Sequence, residues 1–165
     1  MDADAEREFR EFVAARSAAL TRSAYLLTGQ REAAEDLLQT VLAKVARRWD
    51  RIGGQPDAYV RAALYREQVS RWRRHGREVF GVPETAAAGD HAAATDLKVS
   101  LAAALRRLTA RQRAVVLLRY VEDLPESEVA AVLDVSIGTV RSTASRALAR
   151  LRSECPSLWS EEVRQ

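Results

Sequence analysis

The stretch ESEVAAVLDVSIGTVRSTASRALARLR, Glu126 to Arg152, decides how the rest of the chain is read. A short apolar-periodic segment (Val129, Val132, Leu133) is followed by a three-residue turn, Asp134-Val135-Ser136, and then by a longer helical pattern from Ile137. Ser136 is a good N-cap for that second helix, and the proportions are those of a helix-turn-helix. At about 100° per residue, Val140, Ala144, Ala147, Leu148 and Leu151 share one face and are expected to pack inward. The opposite face carries Gly138, Ser142, Ser145, Arg146 and Ala149, flanked by Arg141 and Arg152 on one side and Thr139 and Arg150 on the other. From Ser136 to Arg152 there are four Arg and no acid. Small polar residues let a backbone approach base edges in a major groove, and arginines at the rims bond guanine or phosphate. The plain alternative is an ordinary solvated helix. The missing carboxylates beside a turn of the right length favour duplex DNA, with Thr139, Arg141, Ser142, Ser145, Arg146 and Arg150 as candidate contacts. Asp134 stands where such a turn favours Gly at positive φ.

Working outward, Leu97, Leu101, Ala104, Leu105 and Leu108 mark a helical face starting near Asp96. Thr109 with Gln112 is a capping-box pattern before Val115, Val116 and Leu118, and Asp123 with Glu126 repeats it before the short helix. Four helices are therefore expected from Asp96 to Arg152. The stretch 77–95, with Gly81, Pro83 and Gly89 and no periodicity, reads as a linker. Extended, it could reach about 60 Å, so the two halves could sit far apart. Before it lie three helical patterns: Ala5–Thr28, stopped by Gly29; Arg31–Trp49, with Ala34, Leu37, Leu38, Val41, Leu42, Val45 and Trp49 as its apolar stripe; and a third from Pro56 to His75. The expected fold is all-α, two small helical domains joined by a flexible linker.

Composition narrows the function. The 165 residues are 47% hydrophobic and 30% charged, with 30 Ala against 7 Gly and 4 Pro, which favours helix nearly throughout. No apolar run approaches the roughly 20 residues that span a bilayer, and the acidic start (Asp2, Asp4, Glu6) is not a signal peptide. No membrane insertion is expected. The single Cys155 and the distant His75 and His91 give no metal-ligand spacing, so neither metal nor cofactor is expected. Of 26 basic residues 24 are Arg, consistent either with a GC-rich coding sequence or with phosphate binding by the guanidinium fork. Glu35 and Asp36 are adjacent on a helix and so cannot face each other as an acid–base pair. There is no Gly-rich phosphate loop, no G-x-S-x-G and no H-E-x-x-H, and an enzyme is not expected.

The third helix carries Arg61, Tyr65, Gln68 and Trp72 as one stripe, surrounded by Arg66, Arg71, Arg73, Arg74 and Arg77, with Glu67 the only acid between Arg61 and Arg77. Aromatics among arginines suit unstacked single-stranded bases, each stack worth about 1–3 kcal/mol. They equally suit the core of a small bundle; Trp72 reads first as core, and Tyr65 fits both roles. The polar side of the second helix (Glu35, Asp36, Gln39, Thr40, Lys44, Arg47) says nothing by itself.

In this order the segments resemble the extracytoplasmic-function (ECF) sigma factors of bacterial RNA polymerase. Ala34-Glu35-Asp36-Leu37-Leu38-Gln39-Thr40-Val41 resembles region 2.2 of that family, and Ala58-Tyr59-Val60-Arg61 through Trp72-Arg73-Arg74 its regions 2.3 and 2.4. Leu108 to Val116 resembles region 4.1, and Glu128-Val129-Ala130 through Gly138-Thr139-Val140-Arg141-Ser142 region 4.2. Leu26-Leu27-Thr28-Gly29 and Ser145 to Arg152 are similar to the actinobacterial sigma-E type. The resemblance implies a division into region 2 (1–77), linker (78–95), region 4 (96–155) and tail (156–165). It implies an alternative sigma factor, cytoplasmic, that binds core RNA polymerase through the β′ clamp helices and the β flap, and promoter DNA. Asp36, Leu37, Gln39, Thr40 and Lys44 would lie at the polymerase. Ile52, Tyr59, Arg61, Tyr65, Arg66, Gln68, Arg71, Arg73 and Arg74 would handle the melting −10 element, and the helix-turn-helix residues would read the −35 duplex. An anti-sigma factor is a further implied partner. The chain departs from the family at Tyr65-Arg66-Glu67-Gln68, where an Asn-containing stretch is usual, and at Asp134, where Gly is common. The competing reading is a stand-alone helix-turn-helix regulator; against it, the first 75 residues show no strand–helix alternation of a receiver domain. A purely structural helical adaptor is a third.

Overall fold

The computed structural model describes residues 2–75 and 96–156. Among them are seven α-helices and no strand: α1 (Ala3–Thr28), α2 (Arg31–Ala46), α3 (Pro56–His75), α4 (Asp96–Arg106), α5 (Ala110–Val116), α6 (Glu126–Leu133) and α7 (Ile137–Glu154). The expected linker lies outside the described residues.

The helix signals act mostly where the sequence puts them. The Asp2 carboxylate accepts from the Ala5 N–H at 2.8 Å and caps α1. Gly29 ends α1 with φ 75°, its N–H returning to the Tyr25 carbonyl. The Thr109–Gln112 capping box is formed, with reciprocal bonds of 3.1 and 3.2 Å. Ser136 caps α7 by accepting from the Thr139 N–H at 3.1 Å.

Three expectations are corrected. The second helix ends at Ala46, not Trp49: bonding tightens to i→i−3, and a 3₁₀ turn, Trp49–Arg51, seats the Trp49 ring 5.1 Å from both Phe9 and Phe12. The expected second capping box at Asp123 is absent. A π-helical turn, Leu117–Val121, carries the chain on after α5, and Asp123 reverses it at φ 53°, so α6 starts after Pro125 with no side-chain cap. Leu101, expected to pack, is 39% exposed, while Thr143 is buried; the Leu97 side chain lies outside the described residues.

The largest difference concerns the two halves. The sequence suggests bundles free to part, but α1 packs against α4 and α5, and α3 against α5 and α6. The reason is polar as much as apolar. Arg113 is buried and donates to the Leu105 carbonyl (2.8 Å), the Leu108 carbonyl (3.2 Å) and, across the seam, the Leu27 carbonyl (2.8 Å). One guanidinium thus satisfies carbonyls at the C-terminal ends of α1 and α4, where helices leave acceptors unpaired and their dipoles favour a cation. Burial pushes the Arg113 pKa down to about 10, with Arg106 adding repulsion. Gly29 allows the approach: besides its positive φ, a Cβ there would lie 2.7 Å from the Arg106 Cγ.

Candidate nucleic-acid interface

Two arginine-rich helices carry the candidate contacts, and the structure treats them differently. α7 sits on the turn that follows α6. Asp134 is left-handed (φ 53°, ψ 54°) and hands the Val135 N–H to the Ala130 carbonyl, the conformation for which Gly is the usual choice. Val140, Thr143, Ala147 and Leu151 are buried against the second half, with Ala144 and Leu148 half-buried beside them. Arg141, Ser145, Arg146 and Arg150 are exposed, and Thr139 and Ser142 half-exposed. The inward and outward faces are those expected, with Thr143 added to the inner one. Arg141 is steadied by Glu126 (2.7 Å) and Arg150 by Glu154 (2.9 Å). No carboxylate pairs with Arg146 among the described residues.

A groove of about 290 Å³ runs beside this face, walled by Arg119, Tyr120, Glu126 and α7 residues including Arg141 and Ser145. Tyr120 is 54% exposed, with the Arg119 guanidinium 5.7 Å from its ring. Sequence reading missed these two, because the π-helical turn that brings them beside α7 leaves no mark in residue spacing.

On α3 the stripe is largely spent on protein partners. Arg61 donates to Glu122 at 2.6 Å and pairs with Asp57. Tyr65 is 1% exposed and its hydroxyl donates to Glu122 at 3.3 Å. Burial, then the Glu122 charge, raises the Tyr65 pKa, so the hydroxyl stays protonated. Of the two roles open to Tyr65 the structure takes the core one: no base can stack on it in this arrangement. Arg66 donates to the Val132 carbonyl (3.2 Å) and Arg73 to the Leu133 carbonyl (3.4 Å). Trp72 is half-buried, with the Arg111 guanidinium 5.9 Å from its ring centroid. Gln68 is half-buried and Arg74 exposed.

The α2 face and α3 are wired together. Arg71 donates to Asp36 (2.6 Å) and Thr40 (2.7 Å), and Glu67 takes Lys44 (2.5 Å), Arg71 (3.4 Å) and Arg74 (3.3 Å). The Lys44 hydrogen bond, more than any other cause, holds the Glu67 carboxyl below its usual range. The acid that looked out of place among arginines is their common partner. Asp36, Gln39 and Lys44 are exposed and Thr40 is half-exposed, whereas Leu37 is fully buried in the core and cannot present its side chain to a partner.

Ile52 and Tyr59 come together in an open cleft of about 590 Å³ whose remaining walls are Arg48, Arg51, Gly53 and Gln55. Tyr59 is 38% exposed there. The cleft combines one aromatic face, two guanidinium groups and an amide, the groups that stack on, hold and bond an unpaired base. Arg48 and Arg51 are not among the residues named from the sequence; the 3₁₀ turn Trp49–Arg51 brings them beside Ile52 and Tyr59. Among the described residues no group of His, Cys, Asp or Glu could hold a metal ion, and no helix is long and apolar enough to cross a membrane.

Residues 98–151 match the family model for sigma-70 region 4. The chain is 40% identical over 156 residues to the RNA polymerase sigma-E factor of Streptomyces avermitilis, covering 91% of this chain and 86% of that protein. It is likewise 40% identical over 155 residues to that of Streptomyces coelicolor, covering 89% and 85%. Among solved structures, the sigma factor RpoE of Bartonella quintana, in complex with the anti-sigma factor NepR, superposes with a TM-score of 0.68 at 28% identity, covering 89% of this chain and 96% of that one. CnrH, in complex with the cytosolic domain of CnrY, shares the fold with a TM-score of 0.59 at 23% identity, over 92% and 90% of the two chains.

Proposed function

Since the chain belongs to the bacterial RNA polymerase sigma factors of the extracytoplasmic-function type, we propose how its residues share out the work of that family. The protein is a transcription initiation factor: it binds core RNA polymerase, directs it to promoters and helps to open the −10 region. The exposed α2 residues Asp36, Gln39 and Lys44, with Thr40, dock on the β′ clamp helices, and the second half reaches the β flap. α7 lies in the major groove of the −35 element, with Arg146 and Arg141 on base edges or phosphates and Ser142 and Ser145 allowing close approach. The cleft of Ile52 and Tyr59 takes a flipped base of the −10 element, and Arg61, Arg66, Gln68, Arg73 and Arg74 follow the melted strand. Arg71 belongs with the docking face, given its bonds to Asp36 and Thr40.

The observation that carries this reading is the contrast in what is exposed. An exposed arginine and serine face on α7, where Glu126 and Glu154 hold one arginine each, suits a duplex, whose code lies in the groove. An aromatic and arginine cleft suits a single strand, which must be held by stacking and charge. Separating each base-pair step costs about 1.4 kcal/mol, and a sigma factor offsets that by binding alone. The chain is assigned to the cytoplasm, where polymerase and DNA are. The division into 1–77, 78–95, 96–155 and 156–165 belongs to the same proposal. An anti-sigma factor is a proposed partner because the similar RpoE was solved with one.

Binding to core RNA polymerase, with wild type beside an Asp36→Arg and Gln39→Ala double variant, tests the assignment. Tight wild-type binding weakened in the variant is expected. Equal binding by both would remove the contact from α2.

A further inference from the structure

The fold leaves one tyrosine beside α7 with an idle hydroxyl. Tyr120 is 54% exposed, the most open of the large apolar side chains described, and its neighbour Val121 is 53% exposed. On an unbroken α-helix the two would lie above Val116 and Leu117, both buried. The π-helical turn Leu117–Val121 prevents this. The Glu122 N–H bonds the Leu117 carbonyl at 2.9 Å, five residues back, and the wider turn swings both side chains outward. The Arg119 guanidinium lies over the Tyr120 ring and is itself anchored on the Leu124 carbonyl at 2.6 Å. Tyr65 spends its hydroxyl on Glu122, whereas among the described residues no hydrogen bond takes up that of Tyr120.

Position decides what that hydroxyl can meet. Tyr120 walls the same groove as Arg141 and Ser145, both exposed on α7. A helix with its side chains is about 10–12 Å across and the major groove about 12 Å wide, so a reader helix fills the groove. A group standing beside that helix therefore meets the rim, and the rim is phosphate. Arg119, Arg141 and Arg152 line the protein groove with Glu126 as its one acid, and Glu126 is taken by Arg141. We propose that Tyr120 donates a hydrogen bond to a phosphate on the flank of the −35 duplex. The contact fixes how α7 sits in the groove without itself reading sequence. A phenol has only two side-chain torsions to lose, so a braced ring gives up little freedom on binding. This rests on the reading of α7 as the duplex-facing helix.

Tyr120→Phe removes only the hydroxyl, and its urea unfolding is expected to match wild type, so that a change in binding is not one of folding. Anisotropy of the full chain uses two labelled duplexes, one enriched by the wild-type protein from a random library and one of mixed sequence. Tyr120→Phe is expected to lower affinity for both by the same factor, on the order of fivefold. In the enriched duplex a neutral methylphosphonate then replaces one phosphate at a time along both strands. One linkage flanking the recognised bases is expected to weaken wild type by that factor more than it weakens Tyr120→Phe. Equal affinity of Tyr120→Phe and wild type for both duplexes, or a loss that couples to no single linkage, overturns the contact. A loss confined to the enriched duplex shows that Tyr120 reads a base, and overturns it too. Arg146→Ala, measured alongside, is the check on α7. If it binds the enriched duplex as wild type does, α7 is not the reader and the underlying reading fails. If it weakens binding while Tyr120→Phe does not, that reading stands and the phosphate contact alone falls.

Discussion

Helices α3 and α7 have nearly the same chemistry on paper, arginines spaced along one side with few acids, and opposite fates in the fold. α7 turns its apolar residues inward and leaves Arg141, Arg146 and Arg150 in solvent. α3 commits Arg71 to α2 and Arg61, Arg66 and Arg73 to acceptors of the second half, although Arg66 and Arg73 stay exposed. Arginine content therefore marks a helix as a seeker of oxygen acceptors without saying whose. Where the chain itself supplies carboxylates and helix-end carbonyls, the guanidinium groups are used internally. On α7 it supplies one carboxylate each to Arg141 and Arg150 and, among the described residues, none to Arg146.

The comparison breaks most severely at Arg113, whose guanidinium joins α1 to α4. Arg113→Ala leaves the carbonyls at Leu27 and Leu108 without this donor and the Leu105 carbonyl with only the Leu108 N–H, and a loss of about 3 kcal/mol of stability is expected in urea unfolding. A stability within 1 kcal/mol (about one hydrogen bond) of wild type would mean that water replaces it. On α7, Arg146→Ala is expected to cost about 1–3 kcal/mol of binding to promoter duplex, read by anisotropy, with unfolding unchanged. Arg61→Ala, by contrast, is expected to lower stability, since it strands Glu122 in the seam. If both substitutions behaved alike, the distinction between the two helices would be lost. A subtler probe is the turn between α6 and α7. Asp134→Gly removes the cost of holding an L-residue at φ 53° and is expected to stabilise by about 1 kcal/mol in thermal unfolding. Destabilisation would show that the Asp134 side chain stabilises the turn in a way the backbone does not reveal.

The smallest effect is in pH. The Lys44 hydrogen bond lets Glu67 ionise at a lower pH in the folded protein than an ordinary glutamate, so the pairing stabilises above the ordinary glutamate range and is lost as pH falls through the folded value. Glu67→Gln is expected to flatten the acid-side decline in stability slightly, because Lys44, Arg71 and Arg74 are partly exposed and screened. An unchanged acid limb would mean that Glu67 contributes nothing there.

How much of this was legible from residues alone follows from range. Caps are local: Thr109 with Gln112, Ser136 and Gly29 act on backbone three or four residues away, and each was readable. The inward face of α7 was readable for the same reason, since helical periodicity is local too. Asp123 misled because a π-helical turn, invisible in spacing, moved the start of α6. Leu37 and Tyr65 misled differently: the resemblance assigns positions to a working segment, and only packing decides which side of the helix each one occupies.

By itself the sequence determined an all-α chain, most of its helix caps and a reader helix with no acid from Ser136 to Arg152, because these depend on periodicity and on hydrogen bonds within a few residues. The tertiary structure alone decided that the two halves close on each other, that Glu67 serves three cations, and that Arg113 and Glu122 are the polar centres of the seam. Those outcomes turn on groups 23 to 86 residues apart meeting in space, as Lys44 meets Glu67, Glu122 meets Arg61 and Arg113 meets Leu27. Charge at such range is settled by which acceptors the folded chain brings within reach, and no local pattern encodes that.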